Sequence, residues 1–429
     1  MFFKLKILFY LLSIKINKWI YRNNPERLRA KKWKKLQSHL LQSPFYADFS
    51  KRGYALIEYP IMNKATFMKH FDQINTAGIR VTHALNIALK AEQDRDFSPM
   101  IKGYTVGLSS GTSGNRGIFL ASTSERAKWA AGVLERVIGL SMHKRSVAFF
   151  LRANSNLYES VKSKQLSFHY FDLLNPLVEH VLRLNKLHPD ILVAQPSMLI
   201  LLARAIEKKD LFINPNKIIS VAEVLYPEDK DYLSTIFKQK IHQVYQCTEG
   251  FLAATCEYGT LHFNEDLLII EKKYIDSEKN RFHPVITDLE RYTQPVIRYE
   301  LNDIITTQES CLCGKTSMPI AQIEGRSDDI FHFTGKSGKN ISIFPDLLRR
   351  AIIFADQSIN DYLIVQKESN LLMLYTNGTD EVYQKALKSI QLLLDKFDIG
   401  DVEIKRMKKQ KHIMHQKFKR VRNDQWKKG

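Results

Sequence analysis

Between residues 146 and 247 short, strongly apolar runs alternate with helical sequence, and few folds accommodate that alternation. SVAFFLRA (146–153) and DILVAQP (190–196) read as buried strands, the helix SMLILLARAIEK follows the second, and KIISVAEV and KIHQVYQC supply two more strands. Strand, helix, strand at these intervals predicts βαβ crossovers and an α/β core with parallel pairing. Upstream, residues 25–48 read as helical and end at the Ser43-Pro44 turn, and a further helix is expected near 124–141. Beyond about residue 265 the pattern changes to hairpin sequence, LLIIEKKYI and FHPVITDL. After GRSDD (325–329) it changes again: DYLIVQ, LLMLYT, the helix EVYQKALKSIQLLLDKF and DVEIKRM describe a small α+β unit. A chain of 429 residues is too long for one core. Two domains are therefore expected, 1–325 with a basic amphipathic extension at 1–24, and 326–429.

The formal net charge is +19, and it gathers at the ends: eleven Lys or Arg against two acids in residues 1–50, and eleven against three in 401–429. Such ends suit anionic lipid, an acidic carrier protein or a phosphorylated substrate. They lack the aromatic interleaving and recognition-helix spacing of nucleic-acid binders, so no nucleic-acid partner is expected. The apolar run Ile7–Ile14 is far shorter than the roughly 20 residues of a spanning helix. Lys4, Lys6, Lys15, Lys18 and Arg22 interrupt or flank it, as in an amphipathic helix lying on this protein's own body or, through residues 1–22, on an anionic membrane. Four cysteines do not make a disulfide framework, and no small-residue cleavage site follows the apolar run. The expected location is the cytoplasm, with contact on the cytoplasmic face of a membrane as the variant.

The stretch GLSSGTSGNRG, Gly107 to Gly117, packs four glycines, three serines and a threonine into eleven residues. It lacks the Lys-Ser/Thr ending of a nucleotide P-loop and the spacing of a dinucleotide fingerprint. Small residues with hydroxyls and free backbone N–H groups nevertheless suit a polyphosphate clamp, with Arg116 adding charge. Read alone, the stretch is equally a flexible surface turn.

It does not stand alone. SSGTSG resembles the phosphate-binding loop of the adenylate-forming enzyme superfamily, in the branch of phenylacetate–CoA ligase and coenzyme F390 synthetase (CapK-like adenylating proteins). Matching segments follow in order: LLQSPFYADF (40–49) and YPIMNKATF (59–67), Val221-Ala222-Glu223, YQCTEG (245–250), CEYGTLHFNED (256–266), PVIRYELND (295–303), CLCG (311–314), IEGRSDD (323–329) and QKFKRVRND (416–424). The resemblance implies a large N-terminal domain with mixed sheets and a small mobile C-terminal α+β domain. It also implies ATP-dependent adenylation of a carboxylic acid, followed by transfer to a thiol, most commonly that of coenzyme A. A carrier protein, an amine, a hydroxyl, or AMP transfer to a phenol are the alternatives within this chemistry. A zinc-stabilised interaction protein and a membrane-positioning protein are alternatives outside it.

The resemblance assigns roles residue by residue. Ser109, Ser110, Gly111, Thr112, Ser113, Gly114 and Arg116 would hold the phosphates. Glu223 and Tyr245 would contact the nucleotide, Thr248 a phosphate, and Glu249 the Mg²⁺ bridging ATP phosphates, a hard oxygen ligand for a hard cation. Asp303 would grip the ribose hydroxyls and Arg326 would lie near the nucleotide. Asp328 would mark the hinge, with a helix cap as its alternative. Arg298 is either a ligand residue or a salt bridge in the core. Lys417 resembles the lysine that reaches the carboxylate and α-phosphate; Gln416 replaces the family's glycine, and Lys419 stands two residues on. Cys256, His262, Cys311 and Cys313 could close a tetrahedral Zn²⁺ site of structural kind, as the branch implies; buried unliganded thiols and redox chemistry are the alternatives. Phe149, Phe150, Arg152, Asn156 and Tyr158 lie where this fold lines its acyl pocket, and aromatic walls there suit an aryl or apolar acid.

Overall fold

The computed structural model describes residues 2–94, 100–108, 117–151, 165–356, 358–409 and 419–425. The chain divides into a unit of 1–301 with 306–322 and a smaller unit of 302–305 with 323–429.

The larger unit is built on a mixed sheet. Its parallel part has the spatial order Leu166–Asp172, Arg145–Leu151, Ile191–Ala194, Lys217–Ser220, Ile241–Cys247. Numbered along the chain this is 2-1-3-4-5, a doubly wound order in which ligands bind beyond the carboxyl ends of the strands. Burial explains the apolar composition: all four residues of Ile191–Ala194 are buried, with Val137 and Ile138 packed among Ile191 and Val193, while His180 of the helix Leu177–Leu187 meets the rings of Phe150 and Phe171 on neighbouring strands. Past Cys247 the sheet turns antiparallel, with Gly250–Thr255 paired back on Ile241–Cys247 and Leu261–Phe263 on Gly250–Thr255. The expected hairpin is Leu268–Tyr274 with Arg281–Asp288, in register from Leu268↔Asp288 to Tyr274↔Phe282.

Two amino-terminal helices clasp this body. Helix α1 (Phe2–Asn23) buries Ile7, Leu11 and Ile14, spaced to share one helical face, against Ala127, Ala130 and Ala131 of the helix Thr123–Val133. Tyr10 Oη lies 2.8 Å from Ser124 Oγ, and Lys18 Nζ donates to both Glu135 oxygens at 2.7 and 2.6 Å. The extension thus docks on the protein's own surface. Helix α2 (Pro25–Leu40) starts with Pro25 in its first turn and the Asn24 side chain accepting from Arg27 N.

The smaller unit is a four-stranded sheet in the order Glu403–Arg406, Leu371–Thr376, Tyr362–Glu368, Val421–Asn423. The helices Pro345–Ile353 and Asp380–Lys396 share its core, where Leu348, Ile352, Ala386 and Ile390 meet Ile364 and Leu374.

Candidate functional site

Of three adjacent parallel strands, Ile191–Ala194 and Lys217–Ser220 end level with each other, and Ile241–Cys247 runs four residues past Gln243, the partner of Ser220. After Ala194 comes the start of the helix Pro196–Glu207. After Ser220, Ala222 takes a left-handed conformation (φ 68°), which turns the chain so that Glu223 Oε2 accepts from Ser197 N at 3.2 Å. After Cys247, Thr248 and Glu249 form the two-residue turn of a hairpin, since Cys247 pairs with Gly250. Thr248 Oγ1 donates to Glu249 Oε2 at 2.7 Å.

The glycine-rich stretch is framed differently from a strand-to-helix loop. Tyr104–Leu108 and Ile118–Ala121, the strands on either side of the stretch, pair antiparallel with Leu108 opposite Ile118. Gly107 is required here: a Cβ would lie 2.2 Å from the ring of Phe119, its cross-strand partner. Gly117, where the stretch ends, lines a shallow cleft together with Lys64, Thr248, Glu249, Arg291 and Gln294. Ser109 through Arg116 lie outside the described residues, as do Lys417, Arg152, Asn156 and Tyr158.

One side of the cleft is organised by a segment that sequence reasoning missed, Asp288 to Gln294. Arg291 donates through Nη1 to the Thr248 carbonyl and through Nη2 to Gln294 Oε1 at 3.1 Å. Gln294 in turn accepts from Leu120 N at 2.9 Å and donates to Ile118 O at 3.0 Å. A single relay therefore ties the Thr248–Glu249 turn to the strand that leaves the glycine-rich stretch. Beneath it Asp288 is buried, which pushes its carboxyl up to about 6 despite Arg291 nearby. Its Oδ2 lies 3.2 Å from where a Cβ on Gly250 would stand. Burial opposes ionisation of Glu290 as well, but Lys32 and Lys128, each 2.6 Å away, outweigh it and bring it down to about 2. No spacing rule marks these residues in the sequence; the only cue was a polar run, DLERYTQ, between two apolar ones.

The remaining sequence candidates fall in several places. Tyr245 is buried, with 9% exposure. Asp303 and Arg326 meet in the smaller unit, Arg326 Nε donating to Asp303 Oδ1 at 3.2 Å. Asp328 lies in the middle of a short 3₁₀ turn, Ser327–Asp329, and accepts from Asn302 Nδ2 at 3.3 Å. Lys419 grips both oxygens of Asp329 at 2.8 and 2.9 Å; burial, partly offset by this lysine, raises Asp329 to about 6. Arg298 is structural: it forms a bidentate pair with Glu271 at 2.9 and 3.0 Å and donates to the carbonyls of Ile57 and Tyr59. Phe150 is a core residue, fully buried and stacked on Phe171 at 4.7 Å, so it does not form an acyl-pocket wall as expected.

The four cysteine and histidine candidates do converge. Their ligand atoms all lie within 4.8 Å of one another. Cys256 Sγ and Cys311 Sγ are 3.8 Å apart, close to the roughly 3.8 Å edge of a tetrahedron with Zn–S bonds of about 2.3 Å. His262 Nε2 is 3.3 Å from Cys313 Sγ, while Nδ1 contacts the Ser317 carbonyl at 3.0 Å. A carbonyl can only accept, so the proton sits on Nδ1 and the Nε2 lone pair faces the sulfurs, the usual orientation of a metal-binding imidazole.

No family model matches the sequence, and no curated protein does either. Solved structures match closely in shape. A 2-hydroxyisobutyryl-CoA ligase, in complex with an acyl-AMP in the postadenylation state, superposes with a TM-score of 0.65 at 19% identity, over 94% of this chain and 90% of that one. The fold is that of the adenylate-forming ligases. One of the fatty acyl-adenylate ligases from E. coli and L. pneumophila shares the adenylate-forming fold at TM-score 0.52 and 14% identity, over 71% of this chain and 66% of that one. So does the amide bond synthetase McbA from Marinactinospora thermotolerans, at 0.52 and 10%, over 74% and 68%. The large mixed α/β unit and the small α+β unit correspond to the two lobes of this fold.

Proposed function

We propose that the protein is an ATP-dependent adenylating ligase of the phenylacetate–CoA ligase and F390 synthetase branch. It would convert a carboxylic acid to an acyl-adenylate with release of pyrophosphate, then transfer the acyl group to a thiol, with coenzyme A the first acceptor to test. The observation that carries this reading is the cleft, in which Gly117, at the exit of the hydroxyl-rich stretch, meets Thr248 and Glu249 at a strand end. The segment Ser109–Arg116 would hold the β- and γ-phosphates through backbone N–H groups and the Arg116 charge. Glu249 would carry Mg²⁺, which when bound neutralises phosphate charge and holds the triphosphate in line. Thr248 would donate to a phosphate, Glu223 and Tyr245 would border the base, and Asp303 with Arg326 would meet the ribose and its phosphate. Lys417 would offset the charge that builds on the acyl and α-phosphate oxygens during attack. Lys419, held by Asp329, fits a positioning role, and this favours Lys417 as the reaching lysine.

The cysteine–histidine cluster would hold a structural Zn²⁺. Its three sulfurs and one nitrogen already make a full tetrahedral donor set, so the ion would fix the 311–318 loop to the Gly250–Phe263 hairpin rather than activate water.

The test is pyrophosphate release from Mg·ATP, scanned over pooled aryl, fatty and hydroxy acids with and without coenzyme A. Release that follows one pool and falls by about 10²-fold or more in Glu249→Gln and Lys417→Ala is the expected result. Release without stimulation by coenzyme A would move the acceptor to a carrier protein, amine or hydroxyl. Wild-type rates in both variants would overturn the siting.

A further inference from the structure

Helix α1 has two apolar faces, and only one of them is used by the fold. Ile7, Leu11, Ile14 and Tyr21 are buried. Leu5, Leu8, Phe9, Leu12, Ile16 and Trp19 are each more than half exposed. At 3.6 residues per turn these six occupy an arc of about 100° directly opposite the buried set. Soluble surfaces seldom present so continuous an apolar stripe without a partner.

The charges around the stripe indicate what covers it. The same geometry puts Lys4, Lys15 and Arg22 along one margin and Lys6 along the other, all exposed, while Lys18 is spent on Glu135. Residues 2–23 contain no acidic side chain. Helix α2 adds exposed Arg27, Lys31, Lys34 and Lys35 against a single exposed acid, Glu26. A second copy meeting this stripe through its own would bring two lysine-lined margins together with no carboxylate on either helix to pair with them. A negatively charged lipid surface satisfies both features: acyl chains accept the leucines and phenylalanine, headgroups accept the lysines, and an indole at the stripe's end suits the interface. At 22 residues the helix has the length to span a bilayer, but its lysines leave it too polar to cross one.

We infer that α1 is an in-plane membrane anchor, pinned to the protein by one face and inserted by the other into the headgroup region of an anionic bilayer. The inference stands on α1 alone and does not require the adenylation chemistry. It is tested with the full-length protein and vesicles of phosphatidylcholine with or without about one-third phosphatidylglycerol. Co-sedimentation should occur with the anionic vesicles, weaken at high salt, and fall at least tenfold in the double variant Leu12→Glu with Trp19→Glu. Both positions are exposed, so the variant should keep the wild-type melting temperature. Trp19→Phe should bind as the wild type does but lose the blue-shifted emission that appears on vesicle addition. Undiminished binding by the double variant would overturn the inference, because the basic segments alone would then suffice. So would the absence of any binding to anionic vesicles. A vesicle-free dimer that the double variant dissociates would also overturn it, assigning the stripe to a second copy.

Discussion

At the scale of single residues, the most consequential side chain is one the motifs did not flag. Arg291 is a positioning residue: it holds the Thr248 carbonyl and, through Gln294, the backbone at Ile118 and Leu120. Arg291→Met should let the Thr248–Glu249 turn drift relative to the strand Ile118–Ala121, which leaves the segment proposed to hold the phosphates. The expected effect is a fall of roughly 10- to 100-fold in the adenylation rate constant, with the KM for the acid little changed, measured by initial rates at saturating ATP. Glu290 provides a test by titration. Lys32 and Lys128 depress its pKa to about 2 from an ordinary 4.5, so the folded state holds its proton less tightly than the unfolded chain. Its stabilising contribution is therefore fully present above about pH 4.5 and is lost as pH falls toward 2. Glu290→Gln should cost about 2 kcal/mol at pH 7, and urea melts of the two proteins should converge as the pH is lowered through that window. Equal differences at pH 7 and pH 3 would contradict the assignment.

At the scale of elements, four of the five parallel strands were legible as short apolar runs, while the edge strand Leu166–Asp172, only partly buried, was not read. SVAFFLRA was expected at 146–153 and is observed as Arg145–Leu151, and the strand in DILVAQP is Ile191–Ala194. The helix expected at 124–141 runs from Thr123 to Val133 and then loosens into a π turn, Leu134–Ile138, stopped by Gly139 at φ 81°. That turn carries Glu135 toward Lys18, and Arg136 toward Asp266 at 2.7 Å. A widened turn answers to long-range ion pairs, and propensity cannot reveal it. The pairing of the strands on either side of the glycine-rich stretch was missed for a related reason: they are separated by a stretch much longer than a two-residue turn signal. Likewise Gln294 reaches Leu120 across 174 residues, a contact only the fold creates. The cysteine–histidine cluster was the opposite case, since its residue types announced it. Its test is metal content: one zinc per chain is expected, lost in Cys256→Ser and Cys313→Ser, with a fall in melting temperature on the order of 10 °C. Zinc-free protein with an unchanged melt would leave the four groups as a packed thiol cluster.

At the scale of the whole molecule, the two lobes were foreseen from the change of pattern near residue 325, and the adenylate-forming fold was foreseen from motifs that single-handedly prove little. The sequence offered both the protein's own body and a membrane as the surface under the amino-terminal extension, and the structure seats one face of it on the body. Ile7, Leu11 and Ile14 close over Ala127, Ala130 and Ala131, small residues that leave room for a helix to lie close. Deleting residues 1–23 should therefore uncover this seam and lower the melting temperature by several degrees. Leu12→Glu, on the other face, should leave it unchanged. Equal effects of the two changes would mean that the exposed stripe also supports the fold.

If the proposed adenylation holds, the seating of α1 on the body changes what kind of catalyst this would be. An anchor on a flexible tether lets an enzyme tumble above a surface, whereas a helix bolted to the body fixes which way the cleft looks. With the stripe in lipid, every molecule would stand at the same height and heading, and its encounter with an amphiphilic acid would be set by how many such acids share a patch of bilayer, not by how many are dissolved in a volume.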